Sequence, residues 1–378
     1  MSLGLYVHVP FCSAICNYCN FNRGLYDAAL KERYVAALLQ EIHQRSDATS
    51  ADTIFFGGGT PSLLEPGEIH GVIEACRESF AVAPDAEITL EANPETVTLE
   101  RLQGFLAAGV NRLSFGVQSF RDEELARLSR LHSAGRAREA FGMARAAGFE
   151  NISLDLMMWL PQQEVSEWLA SVDSLISLRP EHASLYLLEI YPNAPLRDAM
   201  ARGRWSVAPD DDAAEMYLQG MARLDVAGYE QYEISNVSRP GRESRHNLKY
   251  WTDQEWLGFG CGAHSTRKGV REKNIASTTD YISAVTAGRP VDADRRVLSD
   301  QERFEDAVFT RLRLAEGIRL ELIESRYGID LWSRYGEALQ PFVDEGLLIY
   351  HDGIIRLTRE GMLLANEVMT VFIGAPVR

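Results

Sequence analysis

Leu5-Tyr6-Val7-His8-Val9-Pro10-Phe11-Cys12-Ser13-Ala14-Ile15-Cys16-Asn17-Tyr18-Cys19 begins as a strand and ends as a cluster of thiols. Leu5–Val9 is rich in β-forming residues, and Pro10 interrupts the run. Cys12, Cys16 and Cys19 then follow at C-x3-C-x2-C spacing. Positions i, i+4 and i+7 share a helical face, so a buried cysteine stripe is one reading. Pro10, Asn17, Asn20, Asn22 and Gly24 make a stable helix there unfavourable. Structural zinc normally takes four ligands, often as two separated pairs, and the second pair is missing. Five cysteines, an odd number, argue against a disulfide framework. An iron–sulfur cluster fits better: three thiolates on a loop cap three irons of four and leave one open to a substrate.

Working outward, short β-rich runs alternate with helical patterns up to about residue 190. The strand candidates are Leu5–Val9, Thr53–Phe56, Glu87–Glu91, Arg112–Val117, Ile152–Met157 and Ala183–Ile190. Helical periodicity runs through Leu30–Ile42 and residues 66–80, 98–108, 134–147 and 164–177, with Gly109 and Gly148 placed as terminators. Repeated βα units with right-handed crossovers give a parallel sheet with helices outside. Six units are too few for an eight-stranded barrel, so the expected α/β fold is a partial (βα)6 barrel. Its chemistry should collect at the C-terminal ends of the strands.

Beyond residue 200 the pattern changes. Asp210–Ala227 reads as a helix with an acidic start, and Tyr229–Ile234 as one further strand. Residues 1–235 are expected to form the barrel domain. Residues 236–297 read as an irregular segment rich in Gly, Arg, Asn and His. Residues 298–378 read as a helical, winged-helix-like domain with a hairpin turning at Asp352-Gly353 and a last helix over Arg359–Phe372.

The 378-residue chain is 46% apolar and 24% charged, an ordinary globular composition long enough to bury a full core. Its net charge of −16, from 54 acidic and 38 basic residues, argues against nucleic-acid partners. No apolar run approaches the ~18 residues of a membrane span, and the first residues lack the pattern of a signal peptide. A cytoplasmic protein that is not an integral membrane protein is expected.

With its neighbours, the cysteine segment resembles the signature of radical S-adenosylmethionine (SAM) proteins. More narrowly, it is similar to the branch that holds oxygen-independent coproporphyrinogen oxidase and the haem chaperone HemW. The resemblance runs from Leu5 to the C-terminal domain. It implies a [4Fe-4S] cluster on Cys12, Cys16 and Cys19 whose open iron is chelated by the amino and carboxylate groups of SAM. It also assigns Gly58, Gly59 and Thr60 of Gly57-Gly58-Gly59-Thr60-Pro61 to the methionine end of SAM. Glu91, Gln118, Arg130 and Asp155 are further SAM residues by the same resemblance, and Tyr6 and Tyr18 are expected near the cluster and the adenine. Taken singly, each of these has an ordinary structural reading. Asp155 alone, in an apolar strand, asks for a partner on physical grounds.

Two features separate the branches. The oxidases resemble C-x3-C-x2-C-x-C and carry a long N-terminal extension; here Phe21 stands at the fourth cysteine's position and eleven residues precede Cys12. Both departures are similar to the HemW group. His246-Asn247-Leu248-Lys249-Tyr250-Trp251 matches the H-N-x-x-Y-W motif associated with haem in that group. Imidazole is a standard axial ligand, so His246, Asn247, Tyr250 and Trp251 are the expected haem residues, with His264 a second candidate. Arg242, Arg245 or Lys249 would meet the propionates. The competing reading is that the aromatic pair only anchors its segment to the barrel. The expected function is a haem chaperone that passes haem to acceptor apoproteins, respiratory ones among them. The alternatives are an active radical SAM enzyme, a methyltransferase or porphyrin-modifying enzyme, and an inert scaffold. Cys76 and Cys261 read as core and incidental thiols.

Overall fold

The computed structural model describes residues 2–192 and 194–373. The first half is a run of βα units. β1 (Leu3–Val9) leads to α1 (Ala28–Gln44), β2 (Ser50–Gly58) to α2 (Pro66–Ser79), and β3 (Ala81–Ala92) to α3 (Leu99–Ala107). β4 (Arg112–Gln118) leads to α4 (Ala134–Ala147), β5 (Ile152–Met158) to α5 (Val165–Leu178), and β6 (His182–Leu187) to α6 (Asp210–Val226). Local chemistry sets the helix ends. Asp27, Thr98 and Ser133 accept backbone N–H groups at helix starts, and Gly148 closes α4 at φ +104°, where a Cβ would be strained.

β1 to β6 pair in parallel in chain order. Alternate side chains, among them Leu5, Val7, Ile54, Phe56, Ile88, Leu90, Leu113, Phe115, Ile152 and Leu154, are buried under the helices. Each such side chain contributes roughly 1.5–3 kcal/mol, so this outer layer is the main source of stability. The barrel stays open, because its strands belong to one 12-stranded sheet with two free edges.

Three sequence expectations are corrected. Residues 236–297 are not irregular: they hold β7 (Asn236–Ser238), α7 (Arg245–Trp251), β8 (Trp256–Phe259), β9 (His264–Arg267), β10 (Val270–Asn274), α8 (Thr278–Thr286) and β11 (Asp292–Val297). β8 joins the barrel sheet parallel to β1, on the side away from β2. It is only four residues long and Gly258 interrupts it, yet Gly258 is needed: a Cβ there would lie 2.3 Å from the His264 carbonyl oxygen. The strand expected over Tyr229–Ile234 shrinks to Glu230–Gln231, an antiparallel edge on β7. The helix expected over Arg359–Phe372 breaks at Leu364 into two short ones.

The C-terminal region is winged-helix-like. α9 (Asp300–Arg311), α10 (Leu320–Tyr327) and α11 (Leu331–Asp344) precede the hairpin Leu348–His351/Ile354–Leu357, which Ile318–Arg319 extends to three strands. An ion pair between half-buried Arg313 and buried Glu233, at 2.9 Å, ties it to the barrel. No helix among the described residues is long and apolar enough to cross a membrane.

Candidate functional site

The side chains alternating with the buried apolar layer face the barrel interior, and many are polar. Tyr6 and His8 come from β1, Glu91 from β3, Ser114 and Gln118 from β4, Ser153 and Asp155 from β5, and Ser184 and Tyr186 from β6. An eight-stranded barrel normally fills its interior with branched apolar side chains. A polar interior needs partners, and here some are missing. Arg112 Nε, Arg130 Nε and Asn17 Oδ1 are buried without a hydrogen bond.

At the C-terminal end of β1 the chain enters the cysteine loop. Phe11–Cys12 pairs in parallel with Gly24–Leu25, and residues 13–20 form no helix, which removes the stripe reading. Thr60 Oγ1 donates to Cys12 Sγ at 3.5 Å, Arg130 Nη1 to Cys16 Sγ at 3.4 Å, and Arg23 to the Cys19 carbonyl. Burial raises the Cys12 and Cys19 thiols, and Cys16 adds to both shifts electrostatically. Among the described residues no three His, Cys, Asp or Glu side chains converge on a point that would hold a single metal ion.

Of the expected SAM residues, Gly58, Glu91 and Gln118 stand at the C-terminal ends of their strands, Arg130 lies on the connection after β4, and Asp155 sits in the middle of β5. Gly58 (φ +111°) turns off β2, and its N–H donates to Glu91 Oε2 at 3.1 Å. A Cβ on Gly58 would lie 2.5 Å from the His8 ring, and one on Gly59 would lie 2.7 Å from the Phe11 carbonyl oxygen. The glycines thus let β2 close onto the cysteine strand. Burial, then the charge of Asp155, lifts the Glu91 carboxyl to about 8. Burial also raises Asp155, against Ser184, Arg112, Ser114 and Ser153, which favour its charged form. Gln118 holds φ at +69° beside a β-bulge, with its amide folded over Gly116, where a Cβ would lie 2.9 Å from Gln118 Nε2. Arg130 donates to the Gly116 carbonyl at 2.5 Å, which fixes its guanidinium beside Cys16. Tyr18 packs on Leu128, Met157, Leu160, Leu188 and Leu196, and burial raises its phenol. Tyr6 lies deeper, hydrogen-bonded to His8 Nδ1 at 3.1 Å and stacked on Phe55.

Six residues of this interior escaped the sequence reading: His8, Arg112, Ser114, Ser153, Ser184 and Tyr186. Burial, then the charge of Asp155, raises the Tyr186 phenol. The signal was the polar half of the strand alternation, His182, Ser184 and Tyr186 against Ala183 and Leu185.

His246, Asn247, Tyr250 and Trp251 are elsewhere. α7 seals the N-terminal end of the barrel, with Glu87 of β3 accepting the N–H groups of Arg245 and His246 at 3.0 Å each. His246 has 0% exposure, stacks on Phe55, and bonds through Nδ1 to Thr53 Oγ1 (2.7 Å) and through Nε2 to Tyr250 Oη (2.9 Å). Burial, with Lys249 and Arg112 nearby, depresses it to about 3. Lys249 is buried on Asp52 at 2.7 Å, Arg245 donates to the Asp85 carbonyl at 2.8 Å, and the Arg313 guanidinium lies 4.5 Å from the Trp251 ring centroid. Asn247 sits in the first turn, its N–H on Ser244 Oγ. The expected haem surface at His246 does not fit this placement, since the ring has neither a free nitrogen nor an exposed edge. Cys76 is a core thiol that burial lifts to about 12, and Cys261 is buried beside Asn22 and Thr278.

Known proteins agree with this architecture. Residues 6–175 match the radical SAM superfamily and 298–364 the HemN C-terminal domain. The chain is 35% identical to the haem chaperone HemW of Bacillus subtilis over 98% of each chain. It is 36% identical to that of Escherichia coli, again over 98% of each. The structure of Escherichia coli coproporphyrinogen III oxidase, HemN, a radical SAM enzyme, superposes with a TM-score of 0.87 at 24% identity, covering 99% of this chain and 90% of that one. With identity of this order spread over nearly the whole length, the chain belongs to the HemW family within the radical SAM superfamily.

Proposed function

We propose that this protein is a haem chaperone that carries a [4Fe-4S] cluster on Cys12, Cys16 and Cys19, binds SAM at the barrel mouth, and hands haem to acceptor apoproteins, respiratory ones among them. The observation that carries the reading is the setting of the thiols: Thr60 donates to Cys12 and Arg130 to Cys16, Gly58 donates to Glu91, and Gln118 and Asp155 lie on the neighbouring strands, beside buried polar atoms that lack partners. A cluster bound there supplies an iron with an open position and a one-electron donor. The chain does the rest. Arg130 and Thr60 hold thiols by hydrogen bonds, the glycine turn lets a ligand approach the backbone, and Glu91 and Asp155 accept from hydroxyl or amino groups. Phe21, 64% exposed where the oxidases carry a cysteine, supports the carrier over the oxidase.

Anaerobic reconstitution followed by SAM and haem titrations tests this. The expected outcome is cluster absorption, saturable SAM binding, and a Soret band that saturates near one haem per chain and moves to an apo-acceptor on mixing. Absence of haem binding would sink the chaperone reading. The same complete mouth favours a second reading, an active radical SAM enzyme. Multiple turnovers of 5′-deoxyadenosine with a modified tetrapyrrole would establish it.

A further inference from the structure

Three thiols on a loop without helix or strand keep one spacing only if the loop is anchored on both sides of them. Its leading end is fixed by β1 and by the pairing of Phe11–Cys12 with Gly24–Leu25. Its middle is held where Asn17 Nδ2 donates to the Arg127 carbonyl at 2.8 Å. Behind Cys19 the tie is Asn22. Its Nδ2 donates to the carbonyls of Cys261 and Ala276 at 3.0 Å each, and lies 3.6 Å from Cys261 Sγ. Carbonyl oxygens can only accept, so the amide nitrogen must face them and its orientation is settled. The Asn22 backbone carbonyl accepts from His8 Nε2 at 2.7 Å. Three segments far apart in sequence thus meet on one residue: β1, the turn between β8 and β9, and the residues after β10.

The base under Asn22 is built from buried polar groups that satisfy one another. Glu41 of α1, itself buried, accepts from Gly260 N–H at 2.7 Å, Asn274 Nδ2 at 2.9 Å and Tyr281 Oη at 2.7 Å. The Tyr34 hydroxyl donates to the His8 carbonyl at 2.7 Å and accepts from Cys261 N–H at 3.2 Å. Gly262 makes the close approach possible: it holds φ at +71°, and a Cβ there would run into Asn22 Nδ2. His8 in turn lies against the glycine turn, where a Cβ on Gly58 would lie 2.5 Å from its ring. The tie therefore reaches from the cysteine loop to the expected SAM residues.

Resting on the cluster reading above, we propose that Asn22 is a positioning residue for the [4Fe-4S] cluster. It ties the loop behind Cys19 to the β8–β9 turn, which presents Cys19 together with Cys12 and Cys16 and leaves Phe21 outside, 64% exposed. A loop already held in its liganded shape has less freedom to lose when the cluster binds, and so it holds the cluster longer. Cys261 also gains a use. It is fully buried beside the Asn22 amide, so its reactivity reports whether the tie is closed.

The test compares the full-length wild type with Asn22→Asp, Asn22→Ala and Phe21→Ala, first as apoprotein and then after anaerobic reconstitution. On the apoprotein, alkylation of each cysteine is mapped by mass spectrometry, with Cys76 in the core as the monitor of an intact fold. On the loaded protein, cluster release to a chelator is timed, and electron paramagnetic resonance of the reduced cluster is recorded with and without SAM. Asn22→Asp is the sharper variant, because it keeps the shape and sets an acceptor against two carbonyls. In both Asn22 variants Cys261 should alkylate at least tenfold faster while Cys76 stays protected. The cluster should leave at least tenfold faster, and the change that SAM makes in the resonance should need several-fold more SAM. Phe21→Ala should match wild type within twofold. Wild-type behaviour in Asn22→Asp overturns the assignment while leaving the cluster reading intact. Faster release accompanied by exposure of Cys76 also overturns it, since Asn22 then only supports the fold. Wild-type protein that takes up no cluster refutes the cluster reading itself, and this assignment with it.

Discussion

The two ends of the barrel carry similar residue types and put them to opposite uses. At the C-terminal end, Arg130 Nε and Asn17 Oδ1 are buried without partners, Gln118 is held at φ +69°, and Glu91 is poised near 8. At the N-terminal end, His246 has both ring nitrogens bonded and Lys249 meets Asp52, the Ser2 carbonyl at 2.9 Å and Gln254 at 3.2 Å. Trp251 Nε1 and Arg112 Nε are also buried without a partner at the N-terminal end, so it is the strained backbone and the raised carboxyl of the C-terminal end, and not unpaired atoms alone, that mark where a ligand supplies the balance. A histidine beside an aromatic pair is therefore not a haem site by composition, and the state of its nitrogens decides.

The sharpest contrast lies in removing one key side chain from each end. Cys16→Ala should abolish the cluster, taking bound iron from about four per chain to near zero while the melt of the apoprotein hardly moves. A normal cluster yield in that variant would dissolve the distinction. His246→Ala should do the reverse. Thr53 and Tyr250 lose their shared partner and a cavity opens under Phe55, so urea unfolding should show a loss of about 3 kcal/mol with the cluster yield intact. A neutral His246→Ala would mean that α7 is not a plug.

How far the sequence could be read follows the same division. The βα units were legible because β-branched runs, helical periods and glycine stops agree, and the cysteine loop because Pro10 and three asparagines forbid a helix. The region 236–297 was not. β8 is a four-residue strand interrupted by Gly258 and paired with β1, and β9 to β11 are charged antiparallel strands at the edge of the sheet. The burial of His246 was equally invisible, since it depends on Thr53 and Glu87, far away in sequence. Tyr186 and Arg112 were legible in principle, as polar members of alternating strands.

A pH series separates the ends more finely. Glu91 has a raised folded pKa, so between about 4.5 and about 8 the folded state holds a proton that the unfolded state has lost. Stability contributed by the neutral carboxyl is fully present below the unfolded pKa and is lost as pH rises through the folded value. Glu91→Gln should flatten that fall, whose slope cannot exceed about 1.4 kcal/mol per pH unit for one group. It should also weaken SAM binding at least tenfold. If the slope survives the substitution, another group carries it.

The smallest effect tests whether the strain at the mouth serves a ligand. A non-glycine residue at positive φ costs about 1–3 kcal/mol, and glycine recovers part of this while adding freedom to the unfolded chain. Gln118→Gly should therefore raise stability by about 1 kcal/mol in urea, the sign opposite to most truncations of a half-buried side chain. The same variant removes the amide that lies over Gly116, so SAM affinity should fall several-fold. A gain in stability together with a loss of affinity means that the backbone is held out of its preferred conformation to present that amide. Unchanged affinity would reduce Gln118 to a bulge residue of β4 and leave Arg130, Glu91 and Asp155 as the groups that make this end of the barrel a site.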